Sequence, residues 1–225
     1  MSKSLIALSL IPLGLITGQE LKPVALPAPQ TSGGKPLMQA LKERKSVRDF
    51  GPEQLSRQML SNLLWAAWGI NREDGRRTAP SASNRQETEV YVVMADGTYL
   101  YDAKANELKP VIQTDLRKLA GTQPYPADAP VNLIYVADTA KLGGDDPGRM
   151  AMANANAGFI AQNVYLFCAS EGLATVVRAS VDRAQLGKAL NLRPEQRITL
   201  AQTVGFAKKP AAEPGKPAPP AAKPL

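Results

Sequence analysis

The sequence predicts a single α+β domain with short appendages at both ends. Segments with helical periodicity and segments rich in β-branched residues follow one another without the regular strand–helix–strand alternation of a parallel sheet. The chain has 225 residues, of which 44% are hydrophobic, and a chain of this size and composition buries one full core. The predicted domain covers residues 36–209.

The first 18 residues have the pattern of an export signal. Lys3 supplies a positive charge, and the apolar stretch Leu5–Ile16 is too short to span a bilayer. Residues 1–18 are therefore predicted to be a signal peptide of the general secretory route, which implies a periplasmic or secreted protein. The alternative is an uncleaved membrane anchor, because Ile16 is bulky for a cleavage signal. Residues 19–35 are rich in Pro, Gly and Ser and are predicted to be a linker.

Two helices are predicted before the first strand. The first spans Pro36 to Arg44, because proline is favoured at helix N-termini. Its apolar face consists of Leu37, Met38 and Leu41. The second begins after the N-cap residue Ser56 and ends at Gly69. Apolar residues recur along it at the spacing of a buried stripe, and they are Met59, Leu60, Leu63, Leu64, Ala67 and Trp68.

The strands and the remaining helices are predicted from residue type and periodicity. Glu89–Met94 and Thr98–Tyr101 flank an Asp-Gly turn and predict a hairpin. Three further strands are predicted at Val131–Ala137, Ala174–Arg178 and Arg197–Val204. A long helix over Arg149–Ser170 begins with small residues and continues with larger apolar ones, and a short helix spans Asp182–Leu190. Residues 210–225 alternate Pro, Ala, Gly and Lys and are predicted to be a disordered tail.

Composition excludes several kinds of active site. The chain contains no histidine and one cysteine, which excludes catalytic triads and dyads that need histidine, histidine-ligated or four-cysteine metal sites, and an intrachain disulfide. No metal is predicted, and no residue is assigned as catalytic. Any chemistry would depend on carboxylates, lysines or a bound cofactor.

The net charge of +7 does not predict a nucleic-acid partner. Aromatic residues make up only 5% of the chain, and no segment interleaves cations with stacking aromatics as single-strand binders do. The sequence also has no GxGxxG or Walker-type loop, so a Rossmann or P-loop nucleotide site has no support.

Two segments are candidates for chemistry. In the first, the cationic segment of residues 44–48, three cations and a serine follow the end of a helix. Taken alone, a solvated helix end is the favoured interpretation, and a phosphate clamp is the alternative. The second is the small-residue loop of residues 77–86, in which small side chains let the backbone lie against a flat ring. An ordinary polar loop is its alternative.

Taken together, these segments resemble the nitroreductase family of FMN-dependent oxidoreductases, and most closely its branch of SagB-type dehydrogenases. The resemblance covers residues 37–209, and its pieces occur in the family's order. They are RxSxR at 44–48, LLWAAxGI at 63–70, RTAPSA at 77–82, YVV…DGxYxYD at 91–102, AGxxAQNxYL…GL at 157–173 and VG at 204–205.

The resemblance implies a central, mainly antiparallel sheet flanked by helices, in an obligate homodimer with two FMN sites at the subunit interface. It implies that the cationic segment holds the phosphate and the pyrimidine side of the flavin through Arg44, Ser46 and Arg48, with Lys45 contributing its backbone. The other subunit would contribute Pro80, Ser81, Ala82 and Asn84. The backbone beside the reactive flavin nitrogen would come from Val177, Arg178, Ala179 and Ser180, and the phosphate site would be completed by Lys208 or Lys209.

The function implied by the resemblance is hydride transfer through bound FMN by a ping-pong mechanism. Nitroaromatic, quinone and azoline-type substrates are all compatible, so the substrate is a small molecule or a modified peptide. The alternatives are a non-catalytic flavin-binding or ligand-binding envelope protein and a basic binding protein without flavin. Export would separate the protein from cytoplasmic nicotinamide cofactors, which leaves an envelope substrate or a membrane redox partner as the electron donor.

Overall fold

The computed structural model of the chain describes residues 21–209. The predicted signal peptide and the predicted tail lie outside the described residues. Within residues 21–209, no helix combines the length and the apolar character that are needed to cross a membrane.

In the described part of the chain, seven strands form one sheet in which every pair of neighbours is antiparallel. Their order is β1-β4-β3-β2-β5-β7-β6, so β1 and β6 are the edge strands. The strands are β1 (Val24–Ala25), β2 (Thr88–Met94), β3 (Gly97–Asp102), β4 (Glu107–Ile112), β5 (Val131–Asp138), β6 (Ala174–Arg178) and β7 (Gln196–Gly205). The predicted α+β class with a mainly antiparallel sheet is confirmed.

Between residues 21 and 209, five α-helices accompany the sheet: α1 (Leu37–Glu43), α2 (Arg57–Trp68), α3 (Tyr125–Asp128), α4 (Asp146–Glu171) and α5 (Arg183–Ala189). The predicted caps of α2 are confirmed, because the Ser56 hydroxyl accepts a hydrogen bond from the Met59 N–H and Gly69 ends the helix. Helix α4 ends at Gly172, whose φ of 72° lies in the left-handed region that glycine adopts without strain.

The two faces of the sheet bury different apolar clusters. Side chains alternate between the two faces along β2 and β5, so Val92 and Leu133 lie on one face and Val93 and Ile134 lie on the other. The first face packs against α2 and α4, including Leu63, Leu64, Trp68 and Ile160. The second face packs against α5 and the segment before α3, including Leu186, Leu116 and Ala120. The sheet is thus covered by helices on one face and by shorter elements on the other.

Residues 21–35 differ from the predicted linker, because they are packed along the domain. Strand β1 extends the sheet beside β4, and Leu26 is buried. The Gln30 N–H donates to Asn62 Oδ1, and the Lys35 N–H donates to Ser170 Oγ. The composition of residues 21–35 predicts an extended segment. The groups that hold this segment in place by hydrogen bonds belong to elements that are distant in the sequence.

Strand β4 was also absent from the prediction, because Pro110 interrupts its pattern. The structure pairs β1 with β4 only at Glu107 and Leu108. Pro110 lies beyond this pairing, where β4 has no ladder partner on that side within residues 21–209, and proline is tolerated at such an edge position.

Candidate functional site

The cationic segment leaves α1 and runs beside the edge strand β6. The Val47 N–H donates to the Thr175 carbonyl at 2.9 Å, which attaches the segment to β6. Lys45, Ser46 and Arg48 are exposed, whereas Arg44 is half-buried. Among residues 21–209, none of the three cations forms an ion pair with a carboxylate within 4.0 Å. Three positive charges are therefore presented together without acidic partners.

Tyr165 of α4 links the cationic segment to β6. Its hydroxyl oxygen lies 2.7 Å from Ser46 Oγ and accepts a hydrogen bond from the Val177 N–H at 3.0 Å. The Arg44 guanidinium lies over the ring, 5.1 Å from its centroid. Sequence analysis missed this residue. A tyrosine on a largely apolar helix could have pointed to it. A buried tyrosine hydroxyl usually has a hydrogen-bond partner, which in this case is part of the site.

The end of β6 turns sharply at the residues predicted to lie beside the flavin. The Val181 N–H donates to the Ala179 carbonyl at 2.9 Å, and the Ser180 carbonyl accepts from the Thr122 N–H at 3.1 Å. Ala179 and Ser180 are exposed, and Val181 is buried. The turn thus presents backbone to the surface while both of its sides are fixed by hydrogen bonds.

The side chain of Arg178 points into the core, so the predicted contribution of this residue to a cofactor site is limited to its backbone. Its guanidinium donates to Thr203 Oγ1 at 2.5 Å, to the Ala120 carbonyl at 2.7 Å and to Asn132 Oδ1 at 3.0 Å. Burial lowers the pKa of Arg178 to about 10, so the group still carries its charge at neutral pH. This buried cation ties β6 to β5, β7 and the segment before α3.

The C-terminal lysines come to the same edge of the sheet. The Lys208 N–H donates to the Asp49 carbonyl at 3.1 Å, and the Gly51 N–H donates to the Phe206 carbonyl at 2.9 Å. Lys208 and Lys209 are exposed, and Lys209 Nζ lies 3.9 Å from Glu53. A cavity of about 480 Å³ lies among these elements, and its lining includes Lys45, Tyr165, Thr175 and Ala207. Lys208 lines a separate cavity that also includes Asp49 and Asp128. Backbone contacts thus bring the cationic segment, β6 and residues 206–208 to one edge of the sheet.

The small-residue loop, the fourth group, lies elsewhere in the chain. Arg77 holds its two ends, because the guanidinium donates to the Trp68 carbonyl at 2.7 Å and to Gln86 Oε1 at 2.8 Å. The Ser81 hydroxyl accepts from the Gln86 N–H at 3.0 Å. Positive φ angles at Ser83 and Asn84 (51° and 52°) shape the tip. The loop is rigidly attached at both ends and shows Pro80, Ser83 and Asn84 to solvent.

Helix α4 separates the loop from the cationic segment. Asn156 of α4 donates to Glu87, directly after the loop, at 2.8 Å, whereas Tyr165 contacts the cationic segment. The nine residues between them correspond to roughly 13 Å of helix. No hydrogen bond found within residues 21–209 joins the two segments. One chain therefore does not assemble all four predicted groups.

Large apolar side chains are exposed on α1 and α4. Met38 is 76% exposed, Leu37 63% and Phe159 50%. Within residues 21–209, the apolar face predicted for the first helix is therefore present but exposed, and Ala40 is the buried residue of α1. A cavity of about 530 Å³ adjoins this face and is lined in part by Leu37, Trp65 and Phe167. Exposed apolar surface of this kind marks an interaction site.

The described residues offer little other redox or metal chemistry. Within residues 21–209, no cluster of three or more His, Cys, Asp or Glu side chains has the arrangement of a metal site. Cys168 is buried, and burial raises the pKa of its thiol well above the usual range. Cys168 is therefore a packing residue of α4 rather than a reactive thiol.

Comparison with known proteins decides the family. The nitroreductase family model matches residues 41–206, which include the cationic segment, the small-residue loop and β6. The chain belongs to the nitroreductase family. A nitroreductase-family relative from Methanocaldococcus jannaschii, named as a nitroreductase, is 33% identical over 153 residues, which are 62% of this chain and 76% of that protein. Family membership supports flavin-dependent oxidoreduction as the class of activity.

Two solved structures share the fold of this chain. A structure named as a nitroreductase from Ralstonia eutropha is 39% identical, with a TM-score of 0.80 over 85% of this chain and 92% of that one. The Escherichia coli microcin synthetase McbBCD complex, with truncated pro-MccB17 bound, contains a chain that is 20% identical. Its TM-score is 0.63 over 91% of this chain and 85% of that one, which shows a shared fold.

Replacement of Arg178 tests its role in the core. Arg178→Met keeps much of the volume but removes the donor to Thr203 Oγ1 and to the Ala120 carbonyl. Asn132 Oδ1 also loses its bond from Arg178 and keeps the one from the Thr203 hydroxyl, so we expect the free energy of unfolding to fall by about 3 kcal/mol. Urea denaturation measures the change. The matched control is Arg193→Ala, because Arg193 pairs with Asp138 from a side chain that is 58% exposed. Its loss is expected to cost less than about 1 kcal/mol. Equal effects of the two variants would contradict this role.

Proposed function

We propose that this member of the nitroreductase family is an FMN-dependent oxidoreductase that transfers hydride through the bound flavin by a ping-pong mechanism. The proposal rests mainly on the groups that lie together at the edge of β6. There, three cations without carboxylate partners lie beside a strand end that presents exposed backbone. A phosphate and a flat ring joined by a flexible chain fit these two features.

The residues at this edge fit FMN in charge and in hydrogen-bonding character. Arg44 and Arg48, together with Lys208, would balance the charge of the phosphate, since guanidinium groups form paired hydrogen bonds with phosphate oxygens. The Ser46 hydroxyl adds a donor, and the exposed backbone of Ala179 and Ser180 would face the reactive part of the ring. The Lys209 contact with Glu53 makes Lys208 the better candidate of the two lysines.

Bound flavin supplies the two-electron chemistry, which the side chains of this protein do not. The cationic segment would stabilise negative charge on the reduced ring and bind the phosphate. The fixed turn at Ala179–Val181 would hold backbone groups at the ring edge. Histidine is not needed for these roles, which agrees with a sequence that lacks it.

The proposal includes a homodimer in which each flavin site is shared by two chains. Its support is that the small-residue loop and the cationic segment are separated along α4, while large apolar side chains of α1 and α4 are exposed. Covering that face with a second copy would bury Leu37, Met38 and Phe159 and supply Pro80, Ser81, Ala82 and Asn84 from the partner. The substrate is proposed to be a nitroaromatic, a quinone or an azoline-type modified peptide, as in the SagB-type branch.

The purified protein is expected to carry one non-covalent FMN per subunit, and Arg44→Ala and Ser46→Ala are each expected to weaken FMN binding. Each variant removes a hydrogen bond worth about 1 to 3 kcal/mol, or roughly 5- to 150-fold in Kd. Fluorescence titration of the apoprotein with FMN measures the Kd. Arg57→Ala is the matched control, since Arg57 is an exposed cation at the start of α2, and its Kd should stay within about twofold. Unchanged FMN affinity in both site variants would contradict the phosphate site and would support the alternative that residues 44–48 are a solvated helix end.

Sedimentation equilibrium is expected to give twice the chain mass, and Met38→Glu is expected to weaken the dimer by at least about tenfold. The reason is that a charge would be placed in a buried apolar contact. Val111→Glu on β4 is the control, because Val111 is also exposed (37%) but lies toward the end of the sheet that is opposite to β6. A monomer that retains stoichiometric FMN would show that the two-chain site is wrong.

We further propose that the protein is exported and therefore does not depend on NADH or NADPH. The support is the signal-peptide pattern of residues 1–18. The physiological donor would be either an envelope substrate that is oxidised directly or a membrane redox partner. In anaerobic stopped-flow experiments, we expect slow bleaching of the bound flavin by micromolar NADH or NADPH and fast bleaching by quinols.

Rapid reduction by nicotinamides would contradict the proposed donor. The N-terminus of the native protein, measured by mass spectrometry, provides the independent control. A chain that begins after about residue 18 supports export, whereas an intact Met1 on a cytoplasmic protein would overturn it.

A further inference from the structure

We propose that Tyr165 is a positioning residue that orients the Ser46 hydroxyl toward the flavin. It would do so by passing on a hydrogen bond that begins at the Val177 N–H. The inference rests on the proposed FMN site and adds a residue from α4 that lies behind that site. Tyr165 is only 7% exposed, so it would act through Ser46 and β6 rather than by touching the substrate.

Strand β6 has a free edge, because within residues 21–209 it pairs with β7 on one side and with no strand on the other. Backbone groups on the free side need other partners, because an unpaired buried N–H or carbonyl is costly. Two groups of this chain supply them: the Val47 N–H bonds to the Thr175 carbonyl, and the Tyr165 hydroxyl accepts from the Val177 N–H.

Either hydroxyl can be the donor between Tyr165 and Ser46, and we assign Tyr165 as the donor because its buried proton needs an acceptor. A backbone N–H can only donate, so the Tyr165 oxygen acts as the acceptor in that contact. The tyrosine proton then needs an acceptor, and Ser46 Oγ, at 2.7 Å, is the one found among residues 21–209. With its oxygen occupied by the tyrosine proton, Ser46 keeps its own proton for a group outside the chain. A donor is what an oxygen of the flavin phosphate or pyrimidine requires.

The chain of donors is therefore Val177 N–H to Tyr165 O–H to Ser46 O–H to the ligand. Hydrogen bonds that point in one direction polarise one another, so the terminal donor is stronger than an isolated serine hydroxyl. The same tyrosine ring supports Arg44 through its face. Tyr165→Phe removes the hydroxyl and keeps the ring, so it separates the hydrogen-bond relay from the support of Arg44.

A double-mutant cycle tests the relay. We expect Tyr165→Phe to weaken FMN binding about tenfold, which corresponds to about 1.4 kcal/mol. If Tyr165 acts through Ser46, the double variant with Ser46→Ala should bind FMN within about twofold of the weaker single variant. The control is Tyr91→Phe, because Tyr91 is similarly buried (6% exposed) but belongs to the cluster on the other face of the sheet. Its FMN affinity should match that of the wild type.

A second measurement does not require flavin. Amide hydrogen exchange of the apoprotein, followed by NMR, should show the Val177 amide exchanging at least about tenfold faster in Tyr165→Phe than in the wild type or in Tyr91→Phe. This readout reports the Val177 contact even if FMN is the wrong ligand.

The outcomes separate the relay from the proposed function. Strictly additive losses of affinity in the double variant, or an unchanged Val177 exchange rate, would overturn the relay while leaving FMN binding intact. A wild-type protein that does not bind FMN would overturn the proposed function, and the orientation of Ser46 toward flavin with it. Non-additive affinities together with faster Val177 exchange would support the relay.

Discussion

The free edge of β6 is the constraint on which the rest of the site depends. An edge strand presents backbone groups that need partners, and here those partners come from the cationic segment and from Tyr165. Satisfying the edge therefore also places positive charge beside it. The C-terminal residues add Lys208 by pairing with the chain next to Asp49. A requirement of folding thus assembles the features that fit a flavin phosphate.

The buried cation Arg178 stabilises the same strand from the other side. Three uncharged acceptors surround its guanidinium instead of a carboxylate, so the charge is dispersed among dipoles of β5, β7 and the segment before α3. The adjacent turn at Ala179–Val181 is consequently fixed on both sides while its backbone stays exposed. A rigid backbone edge is what orientation of a flat redox cofactor requires, since misplacement by about 1 Å can cost hundredfold in rate.

The division of the predicted site into two places is the main finding that bears on assembly. The small-residue loop is braced by Arg77 and Gln86 near the first half of α4, and the cationic segment is attached near its second half. Exposed side chains such as Met38 and Phe159 lie on the helices between these places. The proposed dimer would join the two halves of the site and would also cover the exposed apolar side chains. One interface can do both, because α1 and α4 carry these side chains and also lie next to the two halves of the site.

Local chemistry made much of this protein predictable from sequence. Ser56 and Gly69 cap the two ends of α2, the Asp-Gly turn joins β2 and β3, and runs of β-branched residues form β5 and β6. These features could be predicted because caps, turns and strand propensities depend on residues that are close in the sequence. The order of the motifs likewise indicated the family and its candidate residues. Tertiary structure alone decided that residues 21–35 pack along the domain, that Pro110 lies in a strand, that the Arg178 side chain is buried and that Tyr165 joins Ser46 to Val177. Each of these depends on partners far away in the chain, which local patterns do not encode.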